Sequence, residues 1–201
     1  MKTFCNILCI LSVSTCSEPY EMEETIFIPD EKDKNLPAYT EWGYNSFGIV
    51  YERMYFFSTR NIVPCKVIYQ NGILRFSISG RLAPSYSSYS NNENMTLSIS
   101  FPVAEPMRVY QDLTVLHKKK IDLSDSSCTV TLTRSGKTED VSVQTGHFTI
   151  NRVQLIRIDE KENRAILSGV FELIFWRATI PETMLNGRFD FGISHLFILP
   201  Q

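Results

Sequence analysis

The chain has 201 residues, with 20 lysines plus arginines against 22 aspartates plus glutamates and a formal net charge of −2. So mild an acidity leaves no electrostatic footprint for a nucleic acid or for an anionic surface. No repeat of 20 to 50 residues is present, which excludes a solenoid.

Residues 1–15 read as a secretory signal. Lys2 and the amino terminus are followed by an apolar segment over residues 4–13, too short to cross a bilayer permanently, which takes about 20 residues. Small residues then precede Cys16, and Val13-Ser14-Thr15-Cys16 resembles a bacterial lipobox, whose cysteine is diacylated and becomes the mature amino terminus. Thr15 departs from that pattern, and an ordinary signal-peptidase cut nearby is the alternative. The lipobox reading makes Cys16 the lipidation site and the membrane the first partner. Removing residues 1–15 takes away Lys2 and no acid, so the net charge moves from −2 to −3.

Residues 16–36 read as a lipidated, acidic tether carrying Glu18, Glu21, Glu23 and Glu24, with one short apolar island over residues 26–28. Such a run is a solvated spacer. It also resembles the acidic stretch that directs many Bacteroidetes lipoproteins to the outer face of the outer membrane. As a flexible coil it would span about 25 Å.

Residues 37–201 are expected to form one all-β domain. In the run from Met95 to Phe101, Met95, Leu97, Ile99 and Phe101 alternate with Thr96, Ser98 and Ser100. Cys128, Val130 and Leu132 alternate with threonines in the same way. Asn71-Gly72 predicts a type I′ hairpin turn, and Ser135-Gly136 joins another pair of strands. The charged run 159–164 predicts a turn between two strands. In the strand that follows, Leu185, Phe189, Phe191 and Ile193 are expected to face inward, opposite Asn186, Arg188 and Asp190. No segment carries an apolar stripe at helical spacing. The pattern is an antiparallel meander forming a β-sandwich or a barrel, and periodicity does not choose between them. Cys65 and Cys128 each lie on an apolar face. They either pair in an oxidising envelope or remain buried thiols.

Catalytic and metal-binding signals are absent. His117, His147 and His195 are far apart in sequence, and there is no His-x-His, nucleophile elbow or phosphate-cradling glycine loop. No cofactor is expected. His117 and the three lysines after it are balanced by Asp122 and Asp125 and read as a solvated turn. Glu172, Glu182 and Asp190 read as residues of solvated strand faces or turns. A carboxylate pair of glycosidase type depends on spatial separation, which sequence does not give. The candidates for ligand contact are aromatic: Tyr86 and Tyr89 on the Ser/Asn-rich loop 84–95, and Trp176. Phe171, Leu173 and Phe175 form one face of a strand and Val170, Ile174 and Trp176 the other. The second face is therefore either a further buried surface or an exposed binding surface. Residues 196–199, apolar at the chain end, are expected to be buried. They would add a strand beside the segment 185–193 or cover the Trp176 face.

Three blocks carry a family resemblance. Asn45-Ser46-Phe47-Gly48, Ser168-Gly169-x-Phe171 and Asn186-Gly187-Arg188-Phe189-Asp190 resemble, in order and spacing, blocks of a family of uncharacterised Bacteroidetes lipoproteins of unknown function. The likeness runs almost from tether to C-terminus, although residues 82–145 align only by strand character. Glu41-Trp42-Gly43-Tyr44 stands where the family has small residues, and the chain continues past the point where relatives stop. The resemblance implies lipidation and a β fold, and it brings no activity. The expected function is a cell-envelope lipoprotein with a ligand- or partner-binding β domain. A surface hydrolase of glycans or peptides and a structural subunit of an envelope assembly are the alternatives. An open apolar mouth, convergent acids in a cleft, or a solid core with a flat apolar patch would respectively favour each.

Overall fold

Alternating apolar and small polar residues become strands wherever one face can be buried, and among the described residues they build eleven. The computed structural model describes residues 24–60, 62–87, 93–158, 161–193 and 196–198. The strands are β1 (Ser46–Tyr51), β2 (Met54–Phe57), β3 (Cys65–Gln70), β4 (Ile73–Ala83), β5 (Glu93–Pro102), β6 (Lys119–Asp122), β7 (Thr129–Arg134), β8 (Lys137–Ile158), β9 (Lys161–Arg177), β10 (Ile180–Ile193) and β11 (Leu196–Ile198). The molecule is almost all β and closes as an eight-stranded antiparallel barrel, with three further strands outside the ring. The ring runs β4-β2-β1-β10-β9-β8-β7-β5 and returns to β4 through the β4–β5 pairing. Closure leaves no free edge in the ring itself.

The outer strands fill places where ring neighbours diverge. β4 pairs with β2 through residues 81–83 and with β3 through residues 73–78. Likewise β8 pairs with β7 near its start and with β6 farther along. Asn71-Gly72 and Ser135-Gly136 turn the β3–β4 and β7–β8 hairpins, each with positive φ at both residues as a type I′ turn requires.

The interior is filled. Phe76, Phe148, Phe171, Phe189 and Phe191 are all buried, with Phe148 stacked on Phe189 at 4.8 Å and 5.2 Å from Phe76. A 3-10 helix, Tyr110–Leu116, buries Leu113 and Leu116 against the core beside β8 and β9. It is a short exception to the expected absence of helix. Cys65 is a buried thiol and Cys128 a half-buried one, and both are free.

Four expectations change. β9 begins at Lys161, so Lys161–Arg164 of the charged stretch 159–164 belong to that strand. Leu185 is exposed, because the β9–β10 register shifts between Met184 and Gly187 and Asn186 takes φ 58°. That bulge hands the inward position to Met184. The end of the chain does add a strand, but β11 pairs in parallel with β3, not beside β10 and not over Trp176. Leu196 packs against the core there and covers the β3 edge.

The fourth change is at the start of the domain. Residues 24–45 do not all hang free as spacer, for a strap lies along the outer wall. Ile26 donates to Tyr44 O, Asp30 to Leu36 O and Ala38 to Ile28 O, while Leu36 and Thr25 are buried. Pro37 lies so close to Gly48 of β1 that a Cβ there would overlap its ring.

Candidate functional site

The three sequence blocks meet on one patch of wall. Ser46 pairs with Asp190 and Asp190 with Ser168; Phe47 pairs with Phe189 and Phe189 with Gly169. Their phenylalanines fill the barrel, and Arg188 and Asp190 point outward beneath the strap. Asp190 is almost wholly buried there, contrary to the expected solvated face. Its carboxylate accepts Thr40 Oγ1 at 2.6 Å and the backbone N–H groups of Trp42, Gly43 and Tyr44 at 3.0, 2.8 and 3.2 Å. Consecutive amides curled about an anion form a nest, which Gly43 permits with φ 77°. Arg188 pairs with Asp30 at 2.5 Å and Arg152 with Glu41 at 2.9 Å. Asn45 Oδ1 accepts Gly192 N–H at 2.8 Å. These blocks therefore latch the strap to the barrel. The motifs are structural.

A second polar cluster stands at the end of the barrel where β4, β7 and β9 finish. Alternation aims Tyr51, Glu93, Arg134, Glu139, Arg177 and Glu182 inward at this rim, above the phenylalanines. Arg134 gives two N–H bonds to Glu93 Oε2, at 3.1 and 2.6 Å, and Ser135 donates to Oε1 at 2.7 Å. Arg177 gives Nε and Nη2 to Glu182 Oε1 at 2.9 and 2.7 Å, and its Nη1 lies 3.9 Å from Glu139. Tyr51 donates its hydroxyl to the other Glu182 oxygen. Glu182 is buried, where a solvated position was expected, because its partners come from β1 and β9. Burial, then the Glu182 bond, push the Tyr51 hydroxyl up. Hydrogen bonds from Arg134 and Ser135 hold the Glu93 carboxyl below its usual range. Arg134, Lys137 and Arg177 balance Glu93, Glu139 and Glu182, so the rim carries no net charge. A depression of ≈ 260 Å³ opens between Glu93, Arg134, Ser135, Lys137, Glu139 and Arg177.

The residues singled out from sequence lie apart from that rim. Cys16 and Tyr89 are outside the described residues. Tyr86 is occupied within the fold. Its ring stacks on Phe27 of the strap at 3.7 Å and leans on Phe57, while its N–H donates to Asn35. Trp176 is 41% exposed on the outer wall opposite Pro181. Sequence alone did not reveal the rim, whose members are scattered over six strands. Their only local sign is a charge at the inward position where an alternating run ends.

Among the described residues no group of three His, Cys, Asp or Glu side chains is placed to hold a metal ion. No protein-family model, no curated protein and no solved structure matches this chain.

Proposed function

We propose that the chain is an envelope lipoprotein, anchored through Cys16, whose barrel is a binding module that takes an uncharged, hydroxyl-rich ligand at its rim. The observation that supports this is the charge-balanced ring of donors and acceptors above a solid interior. The bore is occupied by buried phenylalanines, among them Phe76, Phe148, Phe171 and Phe189, and not by an open apolar mouth. At the rim, carboxylates accept and guanidiniums donate, so sugar-like hydroxyls can replace water without leaving a charge unpaired. Glu93, held low by Arg134 and Ser135, is unsuited to act as a general acid.

Two experiments separate anchoring from binding. Cys16→Ala should move the protein to soluble fractions and abolish incorporation of a palmitate analogue. Residues 24–201 titrated with neutral oligosaccharides should give binding heats that Arg134→Ala removes while the circular dichroism stays β. Heats unchanged in Arg134→Ala, or none with wild type, refute the rim.

A second reading is favoured by the exposed Trp176 on the outer wall: a subunit docking an envelope partner through that face. Loss of an in-cell crosslink in Trp176→Ser would support it.

A further inference from the structure

The outer face of β4, β5, β7 and the start of β8 is built almost wholly of serine and threonine. Its residues lie in register across the strands. Ser100 has Arg75 on one side and Thr129 on the other, Ser98 has Ser77 and Thr131, and Thr96 has Ser79 and Thr133, followed by Thr138. Hydroxyls bond across strands: Ser77 with Ser98 at 3.2 Å, Ser79 with Thr96 at 2.9 Å, and Thr133 with Thr138 at 2.8 Å. Arg75, the one charged side chain within the array, donates Nε to Ser100 at 3.1 Å. Lys66 and Asp140 frame the array at its sides. A shallow depression of ≈ 520 Å³ runs along it, with the half-exposed Ile73 at one end.

Strand preference accounts for threonine here but not for the lack of lysine and glutamate. Elsewhere the same sheet shows Lys119, Lys120, Asp122 and Glu172 to water. Short hydroxyls on a rigid sheet lose little side-chain entropy when covered, and each both donates and accepts. The grid repeats at about 4.8 Å between strands and about 6.8 Å along them. Apart from Arg75, whose guanidinium is already bonded to Ser100, the array is uncharged, and it complements an uncharged polymer that presents hydroxyls at regular intervals.

We propose that this face is a second binding surface, a platform on which a neutral polysaccharide chain lies, with Ile73 against the C–H face of a sugar ring. The inference does not depend on the rim, which lies beyond Thr133 and Thr138 at the same end of the sheet.

The test uses residues 24–201 and insoluble cellulose and chitin in a sedimentation assay. Wild type should be retained on at least one, and changing salt from about 50 to about 500 mM should leave retention unchanged, since no ion pair is involved. Ser98→Lys with Thr131→Lys should lower retention at least about tenfold, the equivalent of about 1.4 kcal/mol. Thr131→Val keeps the strand-favouring branch and loses one hydroxyl, so it should weaken retention with an unchanged melting temperature. Retention that is lost in Arg134→Ala would belong to the rim and overturns the proposal. No retention on either polymer, or equal retention by the double lysine variant, overturns the proposal. A wild-type dimer that this variant converts to monomer, with no retention, assigns the face to a second copy and also overturns it.

Discussion

Asp190 shows how one side chain changes meaning with its surroundings. By alternation it lies on the outward face, and that is where it points, but the strap covers it and aims three amides and a hydroxyl at its carboxylate. Asp190→Ala would leave those N–H groups without their acceptor, at about 1–3 kcal/mol for each one that water does not reach. The expected result is a loss of at least about 2 kcal/mol in urea unfolding and faster hydrogen exchange at Trp42, Gly43 and Tyr44. Asp190→Asn keeps an acceptor oxygen and should lose less. Unaltered exchange at those amides would show that the nest does not hold the strap. The inward or outward sense of Met95, Leu97 and Phe101 was legible because it depends on neighbours two residues away. The burial of Asp190 and Glu182 was not, because their partners lie between 131 and 150 residues distant, apart from Arg177 beside Glu182. Leu185 failed for a local reason, since one left-handed residue, Asn186, resets the alternation.

At the scale of elements, the strap is held partly by carboxylates that acid can neutralise. Asp30 sits below its ordinary range because of the Lys32 backbone N–H, with Asp33 and Arg188 adding to it. Glu41 is lowered first by Arg152 and then by Tyr39. A carboxylate lowered in the folded state stabilises that state fully above its unfolded pKa, and the contribution fades as pH falls through the folded value. Strap docking should therefore be strongest near neutrality and weaken below about pH 4. Both carboxylates lie near the surface, where such pairs are individually weak. The measurement is a comparison of melting temperatures at about pH 6 and about pH 3. Wild type should lose more than Asp30→Asn with Glu41→Gln, and equal losses would remove the strap from the acid response. The other late element, β11, ties the chain end to β3. Leu196→Ser should cost about 1 kcal/mol, less than full burial of a leucine, since that residue is half-covered. The apolar run predicted a buried end. Which edge it joined was hidden, because β3 and β11 are about 130 residues apart and parallel pairing leaves no turn signal in sequence.

For the whole molecule, the choice between sandwich and barrel turned on closure, and closure is a single pairing, β4 with β5, that alternation alone does not reveal. Closure also decides what the interior can be. An eight-stranded ring has a bore that side chains can fill or that can hold one small ligand. Here the aromatic residues fill it, and Phe148 stands at their centre, within 6.1 Å of Phe76, Phe171 and Phe189 by ring centroids. Phe148→Ala should remove about 3–5 kcal/mol of stability, through lost transfer energy and the space left behind. Its neighbours belong to β4, β9 and β10 across the bore, and closed pairing prevents the wall from collapsing inward to fill that space. A variant that still folds should therefore contain a dry apolar cavity able to take a small aromatic molecule such as benzene. Benzene should raise the melting temperature of Phe148→Ala and leave that of wild type unchanged. A rise in wild type as well would mean that the barrel already holds accessible apolar space, and ligand binding inside it would displace the rim as the leading site.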